Sequence, residues 1–193
     1  MDIMRSVYLS PEEEPVSSPC DPENAPAGDV GGALMMVDSR LKSVHSGRTE
    51  NDPVQQALSD QFAASLDHEG VTDLLDGTCT LIYMYMVWLR QVHESQDKDV
   101  IEYVVPSLVA TMRRMPKSIR PEVIPTMAGL VLAAGMGLSP NLWRLQYGDW
   151  TMKEMNSLEA TAFLLADHIN RVTDDPDFAT RLITEAMSLS EEN

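Results

Sequence analysis

Cysteine is nearly missing from this 193-residue chain: Cys20 lies in a polar stretch and Cys79 in an apolar one. Two thiols so placed build neither a disulfide framework nor a zinc knuckle, so a reducing, cytoplasmic setting is expected. Long apolar runs are missing too. The densest, residues 81–89 and 123–138, fall short of the roughly 18 to 20 residues that a membrane span requires, and they are read as buried helices. The opening Met-Asp-Ile-Met-Arg-Ser has no apolar stretch behind its arginine, so no secretory signal and no membrane partner are expected.

Positive charge is the next shortage. Fourteen Lys and Arg stand against thirty Asp and Glu, a formal charge of -16. Residues 1–70 carry -9 of it and residues 71–193 carry -7, so the acidity is not confined to one end. A field of this sign favours basic partners and opposes the phosphate backbone, which makes direct nucleic-acid binding unexpected.

The usual signatures of catalysis are also lacking. His45, His68, His93 and His168 are scattered, with no second imidazole at metal-binding spacing. Gly135-Met136-Gly137 lacks the third glycine and the preceding strand of a phosphate cradle. Asp174, Asp175 and Asp177 crowd round Pro176 without the glycine bend or alternating oxygens of a calcium loop; three carboxylates there suit the positive end of a helix dipole. His168 stands one helical turn from Leu164, on the edge of an apolar stripe, and is expected to be a half-buried side chain rather than a base. No catalytic residue, metal or cofactor is assigned, and an enzyme is the least supported class.

What is present is helical periodicity behind a polar beginning. Residues 10–32 hold Pro11, Pro15, Pro19, Pro22 and Pro26 among six acidic residues, too little apolar area to offset the entropy of ordering. Residues 1–51 are therefore expected to be a disordered acidic arm and linker. The apolar patch at residues 33–41 is read as a transient helical turn within it, one that a partner could order.

The helical domain is expected over residues 52–193, opening at Asp52-Pro53, where Val54, Leu58, Phe62 and Leu66 recur every four residues. Residues 72–95, apolar on nearly all sides, should be the central helix. A third helix follows Asp97 or Asp99 and meets Pro106, where it should kink or restart; Pro125 poses the same problem. Ser139-Pro140 opens a short helix, Thr151 and Glu154 form a capping box for the cleanest amphipathic stripe, and Pro176 opens the last helix. No strand alternation appears. The fold class is all-α, a single bundle of about six helices.

Two clusters stand out as candidate sites. Arg113, Arg114, Lys117 and Arg120 place four cations within eight positions, an anion dock that could receive the acidic arm in cis, or else a solvated helix end. Leu142, Trp143, Arg144, Tyr147 and Trp150 combine the residue types that anchor protein interfaces, although such residues also pack cores. The expected function is a non-catalytic regulator or adaptor that binds a protein partner. The alternatives are an assembly chaperone or scaffold of a phage or mobile element, for which homo-oligomers would be characteristic, and an acidic mimic of DNA.

Overall fold

The computed structural model describes residues 18–47 and 68–191. They form seven α-helices and two short 3-10 turns, with no strand among the described residues. The helices are α1 (Val30–His45), α2 (His68–Glu94), α3 (Val100–Met112), α4 (Ile124–Gly135), α5 (Pro140–Leu145), α6 (Met152–Thr173) and α7 (Phe178–Glu191). The expected all-α class stands.

The 27-residue α2 is the centre, as its all-round apolar surface requires. Leu81, Ile82, Tyr85, Met86 and Leu89 are buried on it, and α1, α4 and α6 pack around them. Each such side chain removed from water contributes roughly 1.5–3 kcal/mol, so this single helix organises much of the apolar stabilisation. Cys79 lies here at 1% exposure, and burial pushes its thiol up. It is an inert core residue.

Local chemistry accounts for the helix ends. Asp29, Asp99 and Ser139 each accept a hydrogen bond from a free amide at the start of α1, α3 and α5. Pro125 falls in the first turn of α4, where its missing N–H costs nothing, and a 3-10 turn at Pro121–Val123 leads into it. Helix α3 runs through Pro106 without a break, because the disrupted turn lies on the outer side, where Glu102 and Pro106 are exposed. Between α6 and α7, Asp174 takes a left-handed conformation at φ 53° and ends α6, and the Asn170 side chain accepts from the amide of Ala179 at 2.8 Å.

Helix α1 corrects the sequence boundary. Residues 33–41 belong to a 16-residue helix whose Ala33, Leu34, Val37 and Leu41 are buried against α2 and α6. The stripe was visible at helical spacing. Its polar flanks hid the fact that long-range packing, rather than local propensity, stabilises it.

The proline-rich residues 18–29 are ordered as well, in a strap held by backbone atoms. The amide of Ser139 donates to Cys20 O at 2.8 Å, Thr80 Oγ1 donates to Ala27 O at 2.8 Å, and the amide of Asp29 donates to Asp73 O at 2.8 Å. Where strap and helix cross, Gly28 has a φ of +65°, and a Cβ on Gly77 would overlap the Asp29 carbonyl. A glycine in the middle of α2 costs that helix about 1 kcal/mol relative to alanine, and the close crossing is its reason. The remainder of the expected arm and linker, residues 1–17 and 48–51, and the helix expected from Pro53 lie outside the described residues.

Contacts between helices set their relative directions. Asp29 meets Asp73, and farther along Asp38 is close enough to Tyr85 to raise the pKa of its phenol, which burial raises most, so α1 and α2 run the same way. Helix α7 runs against both: Thr180 Oγ1 donates to Asp38 at 2.9 Å, while Met187 reaches Gly31.

Gly77→Ala separates the crossing from helix propensity. Propensity alone would stabilise the protein by about 1 kcal/mol. The overlap with Asp29 should instead destabilise it by roughly 1–3 kcal/mol in urea unfolding. An unchanged or raised midpoint would contradict the close crossing.

Candidate functional site

The corner between α5 and α6 gathers the aromatic cluster. Ser139 caps α5 and Pro140 fills its first turn, which aims the next residues back onto the bundle. The Trp143 indole lies directly over Gly129 of α4, where any Cβ would overlap the ring. Asn141 Nδ2 donates to Asp76 Oδ1 at 2.7 Å and ties α5 to α2.

Arg144 is the organiser. It is 4% exposed, and its Nε and Nη2 donate to the two oxygens of Glu154 at 3.1 and 2.6 Å. Nη1 also donates to Gly148 O at 2.8 Å and Nη2 to Asp149 O at 2.9 Å, while the guanidinium lies 5.1 Å from the Trp150 ring centroid. One planar cation thus holds the loop that follows α5, the first turn of α6 and an indole face.

Glu154 answers with a full set of donors. Besides Arg144 it accepts from the Thr151 amide at 2.9 Å and the Thr151 hydroxyl at 2.8 Å, completing the capping box of α6. Burial pushes its carboxyl up, but the Arg144 and Thr151 hydrogen bonds outweigh it and bring the pKa down to about 2. A carboxylate so committed is a poor proton acceptor at neutral pH. Its chemistry here is structural.

The five residues singled out from the sequence therefore divide. Arg144 is buried, Leu142, Trp143 and Trp150 are half-buried, and Tyr147 faces water at 69% exposure. Leu145 at 49% and Met152 at 69% stand exposed in the same corner. Met152 was read from the sequence as part of the inward stripe of α6, since helical spacing does not reveal which apolar residue at a helix start turns outward. Tyr147 also packs its ring 5.1 Å from that of Trp143, which limits its freedom.

Arg113, Arg114, Lys117 and Arg120 are all exposed, at the end of α3 and in the loop leading to Pro121–Val123. Arg114 Nε donates to Ala110 O at 3.3 Å, and none of the four forms an ion pair with a described carboxylate. Nearby Glu122 pairs with Lys153 at 2.8 Å. Of the acidic arm expected to dock on this cluster, the part that holds Glu12, Glu13 and Glu14 lies outside the described residues, and the described part, residues 18–29, runs against α2 and the start of α5 instead.

His168 is half-buried, as its place on the α6 stripe implied. Burial, then the neighbouring Arg171 and His93, hold its pKa below the ordinary value, and its Nε2 is buried with no protein partner. Ser107, Thr111 and Arg171 share its cleft of about 10 Å³, room for a single water. Sequence reasoning missed Arg40 of α1, which donates to Glu159 at 2.7 Å and to Ser118 at 3.0 Å and lies over the Phe163 ring. No group of three His, Cys, Asp or Glu among the described residues could hold a metal ion, and no described helix is long and apolar enough to cross a membrane.

No protein-family model, curated protein or solved structure matches the chain.

The ion pair carries its own pH dependence. Glu154 ionises at about 2 in the fold against an ordinary 4.5, so its contribution is complete above pH 4.5 and is lost as pH falls from there towards 2. That contribution is on the order of 3 kcal/mol. Urea unfolding of Glu154→Gln should show a shallower loss of stability across this window than the parent. Arg144→Met, which strands the buried carboxylate, should cost about 3–5 kcal/mol at pH 7.

Proposed function

We propose that the protein is a non-catalytic binding module that engages a protein partner through the α5–α6 corner, with Tyr147, Leu145 and Met152 as its contacts. The observation that carries this reading is the buried Arg144–Glu154 pair beneath them. Exposed apolar side chains on a loose loop lose conformational entropy when they bind; here the loop backbone at Gly148 and Asp149 is already held by the guanidinium. A preorganised aromatic beside a flexible methionine suits a protein surface better than a small ligand. The net charge of -16 favours a partner with a basic rim around its own apolar centre.

Affinity purification from the native source with the intact protein as bait, followed by mass spectrometry, should identify that partner. The Tyr147→Ala and Met152→Ser double variant should weaken the identified complex at least tenfold in calorimetry while leaving the thermal midpoint within a few degrees. Leu189→Ser, an exposed apolar residue on α7, should leave the affinity unchanged. Equal affinity for the corner variant and the parent would refute the assignment.

A further inference from the structure

The loop between α3 and α4 reverses the electrostatics of the rest of the chain. Every Lys and Arg of the described residues outside this loop, Lys98 excepted, has a carboxylate oxygen within 3.8 Å. Arg113, Arg114, Lys117 and Arg120 have none among the described residues. Acidic residues outnumber basic ones thirty to fourteen, so carboxylates are in ample supply, and the four cations left without them stand together.

The fold accounts for only part of this cluster. Arg113 and Arg114 follow the last residue of α3, where a cation suits the negative end of the helix dipole. Lys117 lies beyond that last turn. Arg120 stands immediately before the 3-10 turn Pro121–Val123 that leads into α4, and its side chain makes no capping hydrogen bond. That is the positive end of the next helix, where a cation is unfavourable. All four side chains are exposed, so core packing does not require them either.

The backbone beneath them is fixed. Ile119 is wholly buried, and its amide donates to Met115 O at 2.8 Å. Arg40 of α1 donates to Ser118 Oγ at 3.0 Å. Lys117 and Arg120 flank this anchored pair of residues, so their backbone positions are set against α1 and the core before any anion arrives. Binding then costs side-chain freedom and little else.

The arrangement selects the kind of anion. The four cations are strung along a helix end, a turn and the start of the next turn, all at the surface, which suits several separate negative charges better than one enclosed phosphate. An extended peptide of about eight residues reaches roughly 26 Å and carries such charges in a row. The planar fork of arginine takes carboxylates in pairs of parallel hydrogen bonds. Charges are screened over about 8 Å at physiological salt, so a short anion on this loop feels mainly these four cations. A nucleic-acid duplex or an anionic bilayer extends over many such lengths and meets the acidic remainder of a molecule with a net charge of -16.

We infer that residues 113–120 dock a short, carboxylate-rich segment of a protein partner, with Arg113, Arg114, Lys117 and Arg120 each meeting an acidic side chain. The dock stands apart from the corner between α5 and α6 and is expected whether or not that corner binds. The two are neighbours: Lys153, next to the exposed Met152, pairs at 2.8 Å with Glu122, two residues after Arg120. A single partner that covered both would carry an acidic segment beside its apolar anchor.

Titration of the full-length 15N-labelled protein with an octaglutamate peptide, followed through the backbone amide shifts, tests the dock. Shifts centred on residues 113–120 are expected, fading as sodium chloride is raised. The double variant Lys117→Gln and Arg120→Gln, checked for parental helicity by circular dichroism, should weaken peptide binding about fivefold or more. Lys98→Gln, which removes the other described cation without a carboxylate, should leave it unchanged. Equal affinity in the loop variant and the parent, or no shift at residues 113–120, would overturn the inference. Inorganic phosphate acting on the same amides at a lower concentration than the peptide would also overturn it, by showing a site for a point anion. Tighter binding of a DNA duplex or of phosphatidylserine vesicles would do the same, by showing a surface for an extended polyanion.

Discussion

Arg144 is the one cation that the fold buries among the described residues, and taking a guanidinium out of water is tolerable only when its donors are matched. Two go to Glu154 and two more to the carbonyls of Gly148 and Asp149. Those carbonyls would otherwise be loop groups open to water, and Glu154 would cap only its own helix. A single planar fork therefore converts a turn between two helices into a fixed corner, and it does so next to α4, on which Trp143 rests at Gly129. Replacing the pair with apolar residues of similar volume could leave stability unaltered. The loop path, however, depends on the charged groups.

The corner depends in turn on α2. Asn141 binds Asp76 on that helix, and the strap of residues 18–29 crosses it one residue later at Gly77 before reaching α1. Three consecutive turns of α2 thus carry Asp73 for the strap, Asp76 for α5, and Thr80 for Ala27 O. The strap also reaches α5 directly, through Cys20 O and the amide of Ser139, and through Gln146, which donates to Cys20 Sγ. Strap, central helix and corner form one mechanical unit, although strap and corner are more than 100 positions apart in the chain.

How much of this the sequence disclosed depended on the range of the interaction. The Thr151 to Glu154 capping box and the apolar surroundings of Cys79 were legible, because each is decided by residues within one or two helical turns. Arg144 was legible as an interface type, but its partner ten residues on was not, since the loop between them has no period. The strap was misjudged for a related reason. Proline and carboxylates predict weak burial, and little apolar area is indeed buried there beyond Cys20; backbone hydrogen bonds hold it instead, and composition does not encode those. The one trace was Gly77, a glycine in the middle of an otherwise apolar helix, which is the mark of a backbone passing close by.

The binding surface proposed for this corner differs from a flexible hook. Its exposed side chains, Tyr147 above all, project from backbone whose geometry is set before any partner arrives, and the surrounding acidity affects the rate and selectivity of encounter more than the contact itself. The most direct measurement is the set of backbone 15N order parameters for residues 145–151 in the free protein at neutral pH. Values of about 0.85, equal to those of the flanking helices, are what a guanidinium-held corner requires. Values below about 0.6 would mean a mobile loop, and would contradict the claim that the Arg144–Glu154 pair preorganises this surface.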